Sequence, residues 1–97
     1  MSSGEITRYV VTVSFHEQSL TEINELNNQF TRAGFLLTLT DDEGKVHDLG
    51  TNTFGLISPL SEQDVQALAQ GLAEGAINET PEVTVSTWEI WHQDHQQ

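Results

Sequence analysis

Two segments with helical periodicity, each flanked by runs that alternate like β-strands, constrain the fold of this chain more than any other feature. In the first alternating run, apolar side chains stand at every second position: Tyr9, Val11, Val13 and Phe15. A period of two places such side chains on one face of a strand. The stretch 6–15 is therefore predicted to be the first strand.

The first helix is predicted to begin after Ser19, because Glu22 follows at the spacing of a capping box. Apolar residues then recur at steps of three and four and give one buried stripe: Leu20, Ile23, Leu26, Phe30 and Ala33. Gly34 stands where helices often end with a left-handed residue. Phe30 and Phe35 have the spacing of the apolar pair that accompanies this ending.

A hairpin is predicted to follow this helix. Residues 35–40 (FLLTLT) predict a strand and residues 41–45 (DDEGK) an acidic turn. A single returning strand is expected within 46–58, with its clearest part at 53–57 and an irregular stretch before it.

Ser61 predicts the cap of a second helix, with Asp64 three positions later. Its expected apolar stripe is Val65, Leu68, Ala69, Leu72 and Ala76. The run 83–91 (VTVSTWEIW) predicts the last strand, and residues 92–97 a flexible polar tail.

These elements have the order βαββαβ in 97 residues, which is enough chain for one modest core. Because each βαβ half favours a right-handed crossover, the predicted fold is α+β and ferredoxin-like, a four-stranded antiparallel sheet with two helices on one face. We expect one α/β-sandwich domain over residues 1–97 with its core within 6–91. Many functions use this fold, so it does not identify one.

The charge of the chain excludes several classes of partner. Fifteen acidic residues stand against three basic ones, for a formal net charge of −12. DNA and an anionic membrane surface are not expected partners, because binding to them draws on Lys and Arg.

The lack of Cys excludes disulfides, thiol catalysis and Cys-based zinc sites. No signal-peptide pattern or membrane-length apolar run is present, so a cytoplasmic location is expected.

A family resemblance lies mainly in the predicted hairpin. The residues that carry it are Thr40-Asp41-Asp42-Glu43-Gly44, Leu49, Asn52-Thr53-Phe54-Gly55-Leu56, Leu60, Val65 and Leu68, together with Tyr9-Val10-Val11. In these positions the chain resembles the GhoS family of small bacterial endoribonucleases that act as type V antitoxins. The resemblance implies a ferredoxin-like fold, similar to that of small CRISPR-associated nucleases, and cleavage of a toxin messenger RNA.

The acidic turn and the residues after it supply candidate catalytic groups. Asp41, Asp42 and His47 are the candidates, with Glu43 and Asp48 beside them. Carboxylates bind Mg²⁺ through oxygen, and a histidine transfers protons near neutral pH. Mg²⁺ is therefore a candidate cofactor, although no cofactor is required by the pattern. The alternative interpretation is a solvated turn whose acids keep the hairpin edge from pairing with other chains.

Arg8, Arg32 and Lys45 are the candidate RNA-binding residues, since a guanidinium binds phosphate through two parallel hydrogen bonds. The alternatives are a cross-strand ion pair for Arg8 and a helix-terminal cation for Arg32.

His16 and Glu17 lie at a strand–helix junction, which is a common position for a site and also for a solvated loop.

Three further side chains near the end of the sequence have a spacing that metal sites use. His92 and His95 stand three positions apart with Asp94 between them. The alternative is a frayed tail, because the pattern supplies no third ligand outside this short stretch.

One face of the predicted sheet carries no helix. A regular last strand would place Trp88 on that open face with these residues: Arg8, Val10, Thr12, Thr38 and Ile90. An exposed apolar face favours a partner, and a homodimer through this face is the preferred interpretation. Stacking of RNA bases on the Trp is the alternative.

Three functions follow from these observations. The first is a GhoS-like endoribonuclease that acts as an antitoxin on a toxin messenger RNA, which rests on the resemblance. The second is a non-catalytic acidic module that dimerises and binds a basic protein partner, which rests on the net charge. The third is a small-ligand or metal sensor on the same fold.

Overall fold

The computed structural model describes residues 6–16, 20–50, 52–77 and 80–94. These residues form strands and helices in the following order: β1 (Thr7–Ser14), α1 (Leu20–Arg32), β2 (Thr38–Thr40), β3 (Val46–Asp48), β4 (Thr53–Ser58), α2 (Glu62–Ala76), β5 (Glu82–Thr87) and α3 (Trp88–Asp94). The protein is thus α+β, as the alternation of β-branched runs and amphipathic stripes predicts. No helix in these ranges is long and apolar enough to cross a membrane.

The strands form two antiparallel sheets. β1 is the central strand of the first sheet and pairs with β4 on one side and β5 on the other. β2 and β3 form a separate two-stranded hairpin. Leu36 and Gly55 connect the hairpin segment to β4 through an isolated bridge, in which each backbone N donates to the other residue's O at 2.7 Å.

The predicted antiparallel α+β fold is confirmed, but the strands form a three-stranded and a two-stranded sheet where one four-stranded sheet is predicted. The predicted returning strand is divided into β3 and β4. Gly50 and Asn52 have φ angles of 103° and 58°, so the backbone leaves the extended region between the two strands. This change of direction lets β3 return along β2 while β4 pairs with β1.

The first face of the larger sheet packs against α1 and α2. Alternate residues of β1 point to this face, as predicted, and join one buried cluster with Leu26 and Phe30 of α1 and Val65 of α2. The Phe30 ring stacks on that of Phe54 with centroids 4.4 Å apart. Burial of these side chains is the main source of stability for the α/β layers.

The end of α1 confirms the sequence interpretation. Gly34 has a φ of 99°, its N donates to the Thr31 O, and the Phe35 N donates to the Phe30 O at 3.0 Å. The Phe30 and Phe35 rings meet edge to face at 4.9 Å. These are the bonds and the apolar contact of a glycine helix ending. The predicted cap at Ser19 lies outside the described residues.

The start of α2 is also as predicted. Ser61 is the N-cap, and its hydroxyl accepts a hydrogen bond from the Asp64 N at 3.2 Å. Val65, Ala69 and Ala73 are buried, whereas Leu68, which the periodicity assigns to the buried stripe, is exposed.

The second face of the sheet is covered rather than open. Val10 and Trp88 are only 1% and 3% exposed, and they form a second buried cluster with Leu39, Leu49 and the half-buried Trp91. The hairpin and α3 lie over this face. The prediction of an open apolar face, on which the expected homodimer depends, is therefore corrected: the chain covers most of this face with its own residues.

The last predicted strand is shorter than expected. β5 ends at Thr87, and Trp88 to Asp94 form α3. The Thr87 Oγ1 accepts a hydrogen bond from the Ile90 N at 3.4 Å, so a threonine that resembles a strand residue acts at the start of a helix. Residues 92–94 of the predicted tail are the last part of α3, and residues 95–97 lie outside the described residues.

Candidate functional site

The hairpin and α3 enclose a groove on the second face of the sheet. We call it the hairpin–α3 groove. Its volume is about 560 Å³, and its lining comes from β1, the hairpin and α3: Arg8, Asp41, Asp42, Glu43, Lys45, His47, Trp88, Glu89, His92 and Gln93. Because alternate residues of a strand face opposite sides, Arg8 lies on the same side of β1 as Val10 and reaches this groove.

Asp41 organises the hairpin turn. Its Oδ1 accepts hydrogen bonds from the backbone N of Glu43 and of Lys45, both at 2.9 Å. The Asp41 N in turn donates to the Lys45 O at 2.9 Å, and Gly44 takes the left-handed φ of 87°. This is the turn chemistry that the acidic run predicts. It shows that one carboxylate oxygen of Asp41 is used by the turn.

The other carboxylate oxygen of Asp41 holds His47. The Asp41 Oδ2 and the His47 Nε2 are 2.9 Å apart. The pKa of Asp41 is lowered to about 2, chiefly by this hydrogen bond and next by the bond from the Lys45 N. An ionised carboxylate only accepts hydrogen bonds, so the His47 Nε2 carries the hydrogen. In the neutral ring this leaves the lone pair on Nδ1.

A second histidine meets His47 from α3. The His92 ring lies 4.9 Å from the His47 ring, centroid to centroid, at an angle of 72°. His92 also stacks on Trp88, at 4.7 Å and 16°, and Trp88 stacks on Trp91 at 5.7 Å. The buried Trp88 therefore fixes the position of His92 relative to the hairpin.

Arg8 is the cation at the floor of the groove. Its Nη2 lies 3.0 Å from the Glu89 Oε2 and 3.5 Å from the Asp42 Oδ1, and its Nη1 donates to the Thr40 O at 3.2 Å. The guanidinium carbon is 5.9 Å from the centre of the Trp88 ring. The Arg8 side chain is still 26% exposed, so it is accessible from the groove.

The structure brings five of the six candidate residues together. The catalytic candidates Asp41, Asp42 and His47 line the hairpin–α3 groove with the RNA-binding candidates Arg8 and Lys45. The remaining candidate, Arg32, lies in the last turn of α1, which packs on the opposite face of the sheet. Asp48, at the end of β3, lines a different depression.

Two other histidine predictions lie apart from this groove. His16 lines a small depression with Ser14, Phe15, Thr80 and Glu82, and its predicted neighbour Glu17 is outside the described residues. His95, the predicted partner of His92, is also outside them.

Trp88, Glu89, His92 and Gln93 are the α3 residues of the groove, and the sequence does not place them beside the hairpin. The predicted last strand, 83–91, ends before His92 and leaves it in the polar tail. Read as a helix, the last segment places Trp88, Trp91 and His92 on one face, because these positions are three and four apart. The Thr87 cap is the sequence signal that distinguishes the two readings.

Within the described residues, no three His, Cys, Asp or Glu side chains converge as metal ligands would. Both oxygens of Asp41 accept hydrogen bonds, from the turn and from His47. Mg²⁺ keeps several water ligands and needs only one or two carboxylates, and Asp42, which is 91% exposed, is such a carboxylate in the groove.

Imidazole and guanidinium groups line this one groove, and proteins use such groups to bind phosphodiesters and to move protons on them. Comparison with known families agrees with this chemical class. The family model described as Endoribonuclease GhoS matches residues 1–94. The chain therefore belongs to the GhoS family.

Two curated relatives from Escherichia coli are similar along nearly their whole length. "Uncharacterized protein YdiZ" of strain K12 and the protein of that name in O157:H7 are each 60% identical over 92 residues. The alignment covers 95% of this chain and 96% of each relative. Neither name states an activity.

Proposed function

We propose that this protein is an endoribonuclease that cuts messenger RNA in the hairpin–α3 groove, and that it acts as an antitoxin by cutting the messenger of a toxin. The observation that carries the proposal is the oriented His47 of a GhoS-family chain, held by Asp41 in the same groove as Arg8. RNA cleavage by its own 2′-hydroxyl requires a base for that hydroxyl and a cation for the phosphate. His47 and Arg8 meet these two requirements.

Each groove residue has a distinct role in this proposal. The His47 Nδ1 takes the proton from the 2′-hydroxyl, and Asp41 positions the ring through Nε2. Arg8 binds the phosphate, with Lys45 as a second cation. Asp42 lies beside the Arg8 guanidinium and is 91% exposed, so we assign it to charge balance rather than to proton transfer.

The fold and location belong to the same proposal. The strand order β4-β1-β5, with the Leu36–Gly55 bridge extending it beyond β4, supports a ferredoxin-like relationship in which the fourth strand is reduced to this bridge. A protein that acts on messenger RNA works in the cytoplasm, and we place this one there.

The test is cleavage of a mixed messenger RNA pool by the purified protein at low salt. Wild type, His47→Ala and His16→Ala are prepared identically, because His16 is a histidine outside the groove and controls for the substitution itself. Defined cuts that persist in His16→Ala and disappear in His47→Ala are expected. Equal cutting by all three samples would place the activity elsewhere or in a contaminant, and no cutting by wild type would remove the proposal.

A specific observation favours the second candidate, an acidic module that binds a basic protein partner. The net charge is −12, and Arg8 lies within 3.5 Å of two carboxylates. If wild type cuts no RNA, titration with an arginine-rich peptide at two salt concentrations decides this candidate. Saturable binding that weakens with salt supports it, since exposed charge pairs are screened.

A further inference from the structure

The reaction proposed above gives no role to His92, although His92 lines the hairpin–α3 groove. Its ring is held between the hairpin and the buried Trp88, 4.9 Å from the His47 ring and 4.7 Å from the Trp88 ring. A side chain that served only to pack against Trp88 would not have to lie beside a second imidazole or at an open groove. Its position is fixed by stacking, and the His47 ring is its neighbour.

We propose that His92 is the general acid of a two-histidine RNA cleavage in which His47 is the base. This inference rests on the proposed function and assigns its substrate class and products. The substrate is RNA with a free 2′-hydroxyl at the cut, because that hydroxyl is the nucleophile. DNA has none and is not cut.

The reaction is a transesterification. The His47 Nδ1 removes the 2′-hydroxyl proton, and the 2′ oxygen forms a bond to phosphorus. The bond from phosphorus to the 5′ oxygen breaks, and that oxygen keeps the electron pair and takes a proton from the His92 imidazolium. The products are a 2′,3′-cyclic phosphate and a 5′-hydroxyl, and no water or metal is consumed.

The geometry is suited to this division of labour. The attacking and leaving oxygens lie on opposite sides of one phosphorus, so the base and the acid must reach the same phosphate from different directions. His47 comes from the hairpin and His92 from α3, and Arg8 of β1 lines the same groove. The other charged residues of the groove are Asp41, Asp42, Glu43 and Lys45 of the hairpin and Glu89 of α3.

The first test compares His92→Phe with wild type on an RNA that wild type cuts. Phe keeps a flat ring to stack on Trp88 and has no proton to give. We expect cleavage to fall about 10²–10⁴-fold, the usual contribution of a general acid. Ile90→Ala is the matched control, because Ile90 is an exposed residue of the same helix outside the groove, and it should cut like wild type.

The second test separates proton donation from a structural role. A substrate with sulfur in place of the 5′ bridging oxygen has a leaving thiolate, which needs no acid because thiols ionise far more readily than alcohols. It should restore cleavage by His92→Phe to nearly the wild-type rate and leave His47→Ala inactive. A loss through misfolding would not be rescued by one sulfur atom.

The outcomes distinguish this inference from the proposed function. Cyclic phosphate ends formed in the presence of a chelator, with rescue of His92→Phe alone, support the two-histidine reaction. Wild-type cleavage by His92→Phe, a requirement for Mg²⁺, or lack of rescue overturns the role of His92 and leaves an RNA-cutting protein that depends on His47. No cleavage by wild type overturns both.

Discussion

Gly55 of β4 and Leu39 of β2 are so close that a side chain at position 55 would overlap Leu39. A Cβ placed on Gly55 would lie 2.8 Å from the Leu39 Cγ and 3.0 Å from both Cδ atoms. Leu39 is 2% exposed and belongs to the buried cluster on the second face of the sheet. The missing side chain at Gly55 therefore lets Leu39 of the hairpin pack directly on the sheet.

Gly55→Ala should push Leu39 and the hairpin away from the sheet. We expect a loss of about 1–3 kcal/mol in the free energy of unfolding, the usual cost of overpacking a core. Gly71→Ala is the matched control, because a Cβ at this position in α2 meets nothing within 4 Å and should stabilise the helix by about 0.5–1 kcal/mol. Urea denaturation of both variants measures the two changes, and equal stability would contradict the close approach.

Trp88→Ala should remove the largest side chain of the second buried cluster. The expected loss is about 3–5 kcal/mol, because truncation of a buried aromatic leaves a cavity as well as losing its contacts. Trp91→Ala should cost less, since Trp91 is only half-buried at the edge of the cluster. Chemical denaturation followed by circular dichroism gives both values. A larger loss for Trp91→Ala would show that the arrangement of α3 is different.

Asp41→Asn should reduce the acid sensitivity of the fold. The pKa of Asp41 is lowered from 3.8 to about 2 in the folded chain, chiefly by its hydrogen bond with His47. The folded state therefore binds fewer protons here than the unfolded state between about pH 4 and pH 2, so the stability from this carboxylate is present above that range and lost within it.

Thermal unfolding at pH 5, 4, 3 and 2 measures this effect. Between pH 4 and pH 2 the midpoint of wild type should fall more steeply than that of Asp41→Asn. Asp48→Asn, which removes an exposed carboxylate of the same hairpin, should follow wild type. Parallel curves for wild type and Asp41→Asn would show that the bond to His47 does not stabilise the fold.

Arg8→Lys should weaken the proposed RNA cleavage although it keeps the charge. Lys has no planar pair of donors for a phosphate, and a hydrogen bond to a charged group is worth about 1.5–3 kcal/mol. This corresponds to a decrease of about 10–100-fold in kcat/KM. Arg32→Lys, on the opposite face of the sheet, should cut at the wild-type rate. Equal losses for the two variants would indicate a general effect of charge rather than a phosphate site.

The sequence predicts those elements whose ends are determined by local chemistry. The glycine ending of α1 at Gly34 and the Ser61 cap of α2 follow from a few neighbouring residues, and both are found. The hairpin turn is predictable for the same reason, because Asp41 and Gly44 satisfy it within five residues.

The arrangement of the second face could not be predicted in this way. In the last segment, valine, threonine and tryptophan have the propensity of a strand, whereas burial of Trp88 against β1 and the hairpin favours a helix from that residue onward. Tertiary contacts decide such a segment, and a single sequence does not contain them explicitly.

The candidate site was predictable only in part. The hairpin residues Asp41, Asp42, Lys45 and His47 are neighbours in sequence, so their cluster is visible without a structure. Arg8 is a candidate because it is one of three cations in the sequence, and its place in the groove follows from the face of β1 on which it lies. The contact between His92 and His47 could not be predicted, because it requires α3 to fold back over the sheet.

The ion pair between Arg8 and Glu89 joins residues 81 positions apart. The pairing of Tyr9 with Thr87 in the sheet closes nearly the same loop, so once β5 is paired with β1 the Arg8–Glu89 ion pair costs little further chain entropy. Docking of α3 should therefore accompany formation of the sheet, and recovery of activity during refolding should coincide with recovery of the circular dichroism signal.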